Sequence, residues 1–358
     1  MRENVLVTGG AGFIGSHIVD ALLDAGHRVC VVDDLSTGKL ANLNLAARLY
    51  RLDICDGAAL ERVFAAERPS VVFHQAAKAD VRASLTDPLG YAMVNVIGSL
   101  NLLEAARRYG VRKFIFASSG GAVYGEPATL PVTESHSAHP LDAYGASKLA
   151  IEHYLYLYYH NFALDYCALR YANVYGPRQD PKGEAGVVAI FAGRMLRRAE
   201  TVINGDGRQT RDFVYVSDIA RANLMAMERG HGIYNLGSTR GADVNTIFRQ
   251  LARLTGYRLP EVHGPSKQGE VRSIYLDAGL ARAELGWEPK VRLPEGLAYT
   301  LQHLQSVSDR PERPDYALGV PAADDSPRTR PGTGAGVSHP ATAPLDPGWE
   351  PGASSARA

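Results

Sequence analysis

The chain has 358 residues, and its 38 Lys and Arg balance 38 Asp and Glu, so the formal net charge is zero. That balance gives no footing for a general affinity for nucleic acid or anionic membrane surfaces. Hydrophobic residues make up 46% of the sequence, an ordinary globular fraction, and the length suits one large or two medium domains. The three cysteines, Cys30, Cys55 and Cys167, lack metal-ligand spacing, so they read as reduced core residues and no metal site is expected. A strand pattern begins at once with no signal peptide before it, and no apolar run approaches the ~18 residues of a membrane span. A soluble, cytoplasmic protein is expected.

Residues 5–8 form a short apolar run that predicts a strand. It is followed by Gly9-Gly10-Ala11-Gly12-Phe13-Ile14-Gly15 and by a helical pattern through Ala25 that stops at Gly26. A second strand, 28–32, ends at Asp33-Asp34, and buried strands are expected at 71–73, 113–117 and 166–170. Helical patterns lie between them at 57–67, 91–109 and 147–161. Short apolar runs separated by helices indicate an α/β fold, a doubly wound parallel sheet covered on both faces. After Tyr171 the regularity weakens, and glycine- and proline-rich loops alternate with short helices at 187–198, 216–228 and 245–254. A smaller, discontinuous α/β domain is expected there, over the carboxyl ends of the strands where doubly wound sheets bind ligands. The expected division is 1–171 mainly for the sheet domain and 172–308 mainly for the smaller one, with some segments returning to the first. From Asp309 onward nine prolines and few aromatics predict a disordered tail with no catalytic part.

Gly9-x-x-Gly12-x-x-Gly15 follows a strand and opens a helix, the context a dinucleotide site requires. The first glycine permits the tight turn, the second lets backbone approach a pyrophosphate, and the third allows close helix–strand packing. The helix N-terminus, at Phe13 and Ile14, then offers its N–H groups to the phosphates. Asp33 lies 18 residues after Gly15 at the end of the next strand, where a carboxylate accepts from ribose hydroxyls and repels a 2′-phosphate. With Asp34 beside it, NAD is favoured over NADP. Asp53-Ile54 reaches toward the adenine, and Gln75-Ala76-Ala77 follows the fourth strand, where small residues let backbone pass close to the cofactor. His74 before them reads as a hydrogen-bonded histidine at a strand end.

Tyr144-x-x-x-Lys148 puts an ammonium beside a phenol on one helix face. Among 18 tyrosines that spacing arises by chance, so its weight comes from its surroundings. A free tyrosine titrates near ~10, and bringing it close to neutrality takes about 4 kcal/mol of differential stabilisation. An adjacent cation acts in that direction, so Tyr144 is expected as a base with its pKa lowered.

Taken in order from Val5 to Tyr299, the motifs resemble the extended short-chain dehydrogenase/reductase family, and specifically its nucleotide-sugar 4-epimerases of the UDP-glucose/UDP-glucuronate type. They are the glycine turn, Asp33-Asp34-Leu35, His74-Gln75-Ala76-Ala77, Asn95-Val96-x-Gly98, Ser118-Ser119-Gly120-Gly121-Ala122-Val123-Tyr124-Gly125, Tyr144 with Lys148, Arg170-Tyr171-Ala172-Asn173-Val174-Tyr175-Gly176-Pro177-Arg178 and Gln209-Thr210-Arg211-Asp212-Phe213-Val214-Tyr215-Val216. The resemblance implies a Rossmann domain with NAD as cofactor. In the implied reaction Tyr144 takes the proton of the sugar 4-hydroxyl while hydride leaves C4, and the 4-keto sugar turns and is reduced on its other face. Lys148 would hold the nicotinamide ribose, and a serine, Ser119 before Ser118, would bridge Tyr144 and the 4-oxygen. The family position for that hydroxyl falls on Gly120, a departure that leaves the two serines as candidates. By the same resemblance Asn173, Arg211 and Arg272 contact the diphosphate, Val188 helps frame the uridine, Tyr171 packs on the nicotinamide and Asn95 satisfies backbone near the cofactor. A homodimer through the helix after Lys148 is expected, with Tyr154, Tyr156, Tyr158 and Tyr159 there as packing rather than ligand contacts.

Gly121-Ala122 stands where relatives that eliminate water or carbon dioxide carry carboxylates, which argues against those sister reactions. A dehydratase or decarboxylase of the same fold is the nearest alternative, and a catalytically silent NAD-binding scaffold the more distant one. The sugar is not readable. The glycines at 120 and 121 hint weakly at a held carboxylate, and Arg194 is read as facing solvent.

Overall fold

The computed structural model describes residues 2–181, 186–266 and 271–308, so the segment expected to be a disordered tail lies outside the described residues. Strand Asn4–Thr8 (β1) leads through the glycine turn into helix Phe13–Asp24 (α1). Strands Arg28–Asp33 (β2) and Arg48–Arg51 (β3) precede helix Gly57–Glu67 (α2), whose N-cap Asp56 accepts from the Ala59 N–H. Strand Val71–His74 (β4) is followed by the short helices Val81–Thr86 (α3) and Pro88–Tyr91 (α4), then a π-helical turn, Ala92–Ile97, that runs into Gly98–Arg108 (α5). Next come strand Lys113–Ser119 (β5), the long helix Ala143–Phe162 (α6) and strand Asp165–Tyr171 (β6).

Beyond Tyr171 the elements are shorter: Asn173–Tyr175 (β7), helix Val187–Leu196 (α7), Val202–Asn204 (β8) and Thr210–Tyr215 (β9). Helix Val216–Glu228 (α8) leads to Gly232–Leu236 (β10), Gly241–Asp243 (β11) and helix Val244–Thr255 (α9). Val262–Gly264 (β12), Ser273–Ile274 (β13) and helix Leu293–Ser308 (α10) complete the described chain.

Seven parallel strands form one sheet in the order β10-β6-β5-β4-β1-β2-β3. The connections lead from β1 to β2 and β3 on one side and to β4, β5 and β6 on the other, so the switch point lies between β1 and β4. Ligands of such sheets bind outside the carboxyl ends of the strands at that point. Alternation along the strands splits the core into two layers. Val5 and Val7 pack with α1 and α8, whereas Leu6 packs with Leu60, Phe64, Leu102, Leu103, Ile151 and Leu155 from α2, α5 and α6.

A second sheet sets β11, β9 and β13 side by side, with β7 also paired to β9. It packs with α7, α9 and α10 around a third apolar cluster. The periodicity of α9 explains its place: Val244, Ile247, Phe248 and Leu251 recur on one face and are all buried. Asp243 caps it by accepting from the Thr246 N–H, and Gly256 closes it at φ +61°.

The stretch Pro88–Arg108 corrects one expectation, because this helix of 21 residues is long and apolar enough to cross a membrane by length and composition. Asn95, Ser99 and Asn101 break the apolar run in the sequence. In the fold Asn95 and Ser99 are buried and hydrogen-bonded on the helix's inner face, so that face of the stretch packs against the protein's own core.

Candidate functional site

At the end of β1 the chain turns at Gly9, φ +66°, and a Cβ there would stand 2.7 Å from the Ala76 nitrogen. On Gly15 a Cβ would stand 2.1 Å from the Gly9 carbonyl oxygen. Both glycines are demanded by the protein's own packing. Gly12 differs, because a Cβ there would meet only the Gly9 oxygen, at 3.1 Å. As N-cap of α1 it offers no side chain to the first turn, which also holds no acidic residue. The N–H groups at Phe13 and Ile14 therefore open onto a cradle that a side chain at 12 would narrow, and this suits the pyrophosphate of NAD.

Asp33 closes the adjacent side. It is buried at the end of β2 and accepts from the Ala11 N–H and the Leu35 N–H, each at 2.9 Å. Burial pushes its carboxyl pKa up, against the pull of those two bonds. The same carboxylate thus braces the glycine turn, and its remaining lone pairs are available to ribose hydroxyls. Asp34 is exposed and accepts from the backbone and hydroxyl of Ser36. Asp53 is exposed and accepts from Cys55 N, while Ile54 is buried against Gly98.

After β4, Ala76 N donates to the Thr8 hydroxyl at 3.2 Å, and Gln75 meets the Tyr171 hydroxyl at 3.3 Å; Ala77 beside them is half-buried. Tyr171 is buried and also bonds Asn223 of α8. Asn95 accepts from the Lys78 N–H and donates to the Lys78 carbonyl and to the Ser147 hydroxyl. Both of its donors are thereby used, so it ties the loop after β4 to α6. His74 is the strand-end histidine the sequence predicts, bonded to Thr8 and Ser99 at 2.7 Å each, and burial pushes its pKa down to about 3.

Helix α6 begins before Tyr144 because Asp142 caps it, accepting from the Gly145 N–H at 2.7 Å. Tyr144 therefore lies in the first turn and Lys148 one turn on. The Lys148 ammonium is 5.8 Å from the centre of the Tyr144 ring and donates to the Ala117 carbonyl at 2.7 Å. Burial lowers its pKa to about 7, with Glu152 acting in the opposite sense. Burial raises Tyr144 to about 12, partly offset by a hydrogen bond with the Ser119 side chain. This direction is the reverse of the lowered value expected from the Tyr-Lys spacing. Taking the phenol out of water outweighs the Ser119 hydrogen bond, while the Lys148 ammonium is held by the Ala117 carbonyl.

The two serines separate cleanly. Ser119, opposite Tyr171 in the β5–β6 ladder, bonds Tyr144. Ser118, opposite Arg170, points to the other face and donates to the Glu152 carboxylate at 2.5 Å. Sequence reasoning passed over Glu152, although its place four residues after Lys148 on the same helix face is legible in the chain.

On the sugar side, Asn173 heads β7, and its amide oxygen lies 3.9 Å from where a Gly121 side chain would begin. Arg211 on β9 pairs in register with Ile274 of β13, and Arg272 immediately precedes β13, so the two arginines come from adjacent stretches. Arg211 donates to the Thr210 carbonyl, and Arg272 forms an exposed two-pronged pair with Asp206 at 2.8 and 2.9 Å. Val188 is buried in the cluster around α7, which leaves its backbone rather than its side chain for a ligand. Arg194 is exposed and bonds the Glu200 carbonyl, in line with the solvent reading.

A turn shaped for a dinucleotide, an acidic strand end and a Ser-Tyr-Lys group thus converge on one switch point. Comparison with known proteins agrees with that geometry. Residues 5–237 match the family described as the NAD dependent epimerase/dehydratase family. A UDP-glucose 4-epimerase of Mycolicibacterium smegmatis is 43% identical over 311 residues, covering 85% of this chain and 99% of that protein. The structure of a UDP-glucose 4-epimerase from Thermotoga maritima with UDP-glucose superposes with a TM-score of 0.85 at 51% identity, over 86% of this chain and all of that one (100%). A UDP-glucose 4-epimerase of Thermus thermophilus in complex with NAD gives 0.81 at 46% identity, over 85% of this chain and 99% of the other. With the pattern running unbroken from β1 to the end of β10, the chain belongs to the NAD dependent epimerase/dehydratase family.

Proposed function

We propose that this chain is an NAD-dependent UDP-sugar 4-epimerase, acting on UDP-glucose and UDP-galactose through a transient 4-keto sugar. The observation that carries this reading is the Ser119–Tyr144 hydrogen bond with Lys148 one turn behind it, at the carboxyl end of β5 in the same sheet whose β1 leads into the glycine turn. NAD, when bound, supplies the acceptor and donor of a hydride at a single carbon. Tyr144 takes the proton of the sugar 4-hydroxyl and returns it to the 4-oxygen once the sugar has turned. Ser119 shares its hydrogen bond with that oxygen and keeps it within reach of Tyr144. Tyr144 acts in this step as its phenolate, which the Lys148 ammonium favours against the burial that raises the phenol's pKa. Asn173, Arg211 and Arg272 hold the diphosphate, the arginines with planar forks that donate two bonds at once. For Arg272 this means exchanging Asp206 for phosphate.

Gly121-Ala122 brings no acid or base to C5 or C6, so the site stops at inversion of C4. The opening at Gly121 looks onto an amide and not a cation, and relatives at 43–51% identity are UDP-glucose 4-epimerases, which favours a hexose over a hexuronate. In this reading residues 1–171 mainly hold NAD and 172–308 mainly hold the nucleotide sugar, with β10 returning to the first sheet. Incubation with UDP-glucose, UDP-glucuronate and UDP-N-acetylglucosamine in turn, with C4 epimers resolved and product mass read, tests it. UDP-galactose of unchanged mass is expected, and loss of water or carbon dioxide overturns the assignment.

The proposal includes a soluble cytoplasmic homodimer. Leu89, Met93 and Ile97 form a stripe at i, i+4 and i+8 that is 83%, 53% and 44% exposed. Tyr156 and Leu157 on the neighbouring α6 are exposed as well. Such a patch is characteristic of an interface between copies. Leu89→Arg with Met93→Arg is expected to convert a dimer into a monomer in analytical ultracentrifugation, and a monomeric wild type removes the idea.

A further inference from the structure

The residues behind the reactive group form a continuous buried polar chain with no role in the reaction described above. Glu152 of α6, Arg170 of β6 and Ser118 of β5 are 3%, 4% and 3% exposed. The Glu152 carboxylate accepts from Ser118 Oγ at 2.5 Å, from Arg170 Nε at 2.9 Å and from Arg170 Nη2 at 2.6 Å. The third guanidinium nitrogen donates to the Tyr124 hydroxyl at 2.7 Å, and the guanidinium lies over that ring. Tyr124 in turn donates to Asn235 of β10, which bonds the Val132 carbonyl. Each member sits directly behind a residue of the site. Ser118 precedes Ser119, Arg170 precedes Tyr171, and Glu152 lies one helical turn beyond Lys148.

We propose that Glu152 and Arg170 are a positioning pair for catalysis: Glu152 ties the helix bearing Tyr144 to the ends of β5 and β6, and its carboxylate is the negative charge that favours the Lys148 ammonium against burial. The inference rests on the epimerase reading above. Two parts of the geometry support it. A helix whose buried carboxylate accepts from the ends of two neighbouring strands cannot slide along them, which fixes the Ser119–Tyr144 hydrogen bond. Among the described residues the other groups near Lys148 bring no carboxylate: Tyr144 of α6 is a phenol bonded to Ser119, His74 of β4 is kept neutral by burial and Arg170 is itself a cation. Tyr91 and Asp142 bear on Tyr144 from the far side. Glu152 is the carboxylate that acts on Lys148, and it favours the ammonium.

Glu152→Gln keeps the shape and removes the charge, leaving Arg170 uncompensated. Lys148 then loses its proton at lower pH, so the high-pH limb of the kcat profile moves down by roughly one unit. At pH 7 kcat falls by about tenfold, while KM for the UDP-sugar and the NAD content of the purified enzyme stay near wild type. Removing one partner of a buried pair also destabilises the fold, so Glu152→Asp is the second variant. It keeps the charge with a shorter reach, and it should leave the limb in place with a lowered kcat. Should Glu152→Gln not fold, the Asp result decides alone: wild-type kcat and an unmoved limb overturn the proposal. A folded Glu152→Gln enzyme whose profile superimposes on wild type also overturns it and leaves a purely structural pair. Failure of the epimerase reading would look different, since wild type itself would then not interconvert UDP-glucose and UDP-galactose.

Discussion

Tyr144→Phe is expected to lower kcat by about 10³-fold while the purified protein retains NAD and unfolds at the wild-type temperature. Removing a positioned acid–base group costs roughly 10²–10⁴ in rate, and about 10³ is the middle of that range. The measurement is initial-rate epimerisation with NAD content and thermal unfolding on the same preparation. A variant with appreciable turnover defeats the mechanism. Two serine variants sharpen it. Ser119→Ala removes the hydroxyl bonded to Tyr144 and should reduce kcat by about tenfold or more with little change in stability. Ser118→Ala takes a donor from a buried carboxylate, so it should cost about 1–3 kcal/mol of stability with a smaller effect on rate. The reverse pattern would reassign the two hydroxyls.

Gly15→Ala and Gly12→Ala are expected to fail in different ways. A methyl at 15 would stand 2.1 Å from the Gly9 carbonyl oxygen, a contact that only displacement of α1 or the turn can relieve. Overpacking of that kind destabilises by about 1–3 kcal/mol, and NAD binding should fall with the fold. Gly12 has φ −76° and a single close neighbour, the Gly9 carbonyl oxygen at 3.1 Å, so alanine there should cost less unfolding temperature than alanine at 15. Its methyl narrows the cradle at the N-terminus of α1, so NAD affinity should drop by about tenfold or more. Unfolding temperature and NAD titration on both variants check the split. Normal NAD affinity in Gly12→Ala would remove the ligand-approach role given to that glycine.

Much of this site was legible in the chain because its signals are local. The spacing Gly9, Gly12 and Gly15 between an apolar run and a helix needs no distant partner to be read, and Asp33 follows at the end of the next strand. Tyr144 and Lys148 share a helix face by periodicity alone. What escaped were effects that depend on what surrounds a side chain. Asn95 reads as satisfying backbone near the cofactor, but that the backbone is Lys78's and that Ser147 takes its other donor comes from groups 17 and 52 residues away. Val188 reads as framing the uridine, and that its side chain belongs to a core shared by α7, α9 and α10, leaving its backbone for a ligand, depends on elements distant in the chain. Glu152 drew no notice because a glutamate on a tyrosine-rich helix resembles a solvated charge until Arg170 is placed against it.

By itself the sequence determined the alternation of strands and helices, the glycine turn and its acidic partner, and the Tyr-Lys face. All of these follow from backbone periodicity and the absence of a Cβ at chosen points. Only the tertiary structure decided which serine meets Tyr144, that a strand from the second half of the chain, β10, completes the sheet beside β6, and that Tyr144 and Lys148 are pushed toward their neutral forms. The physical reason is common to all three. Strand register and desolvation are set by groups far apart in sequence, and neither exists until the β5–β6 ladder and α6 have packed together.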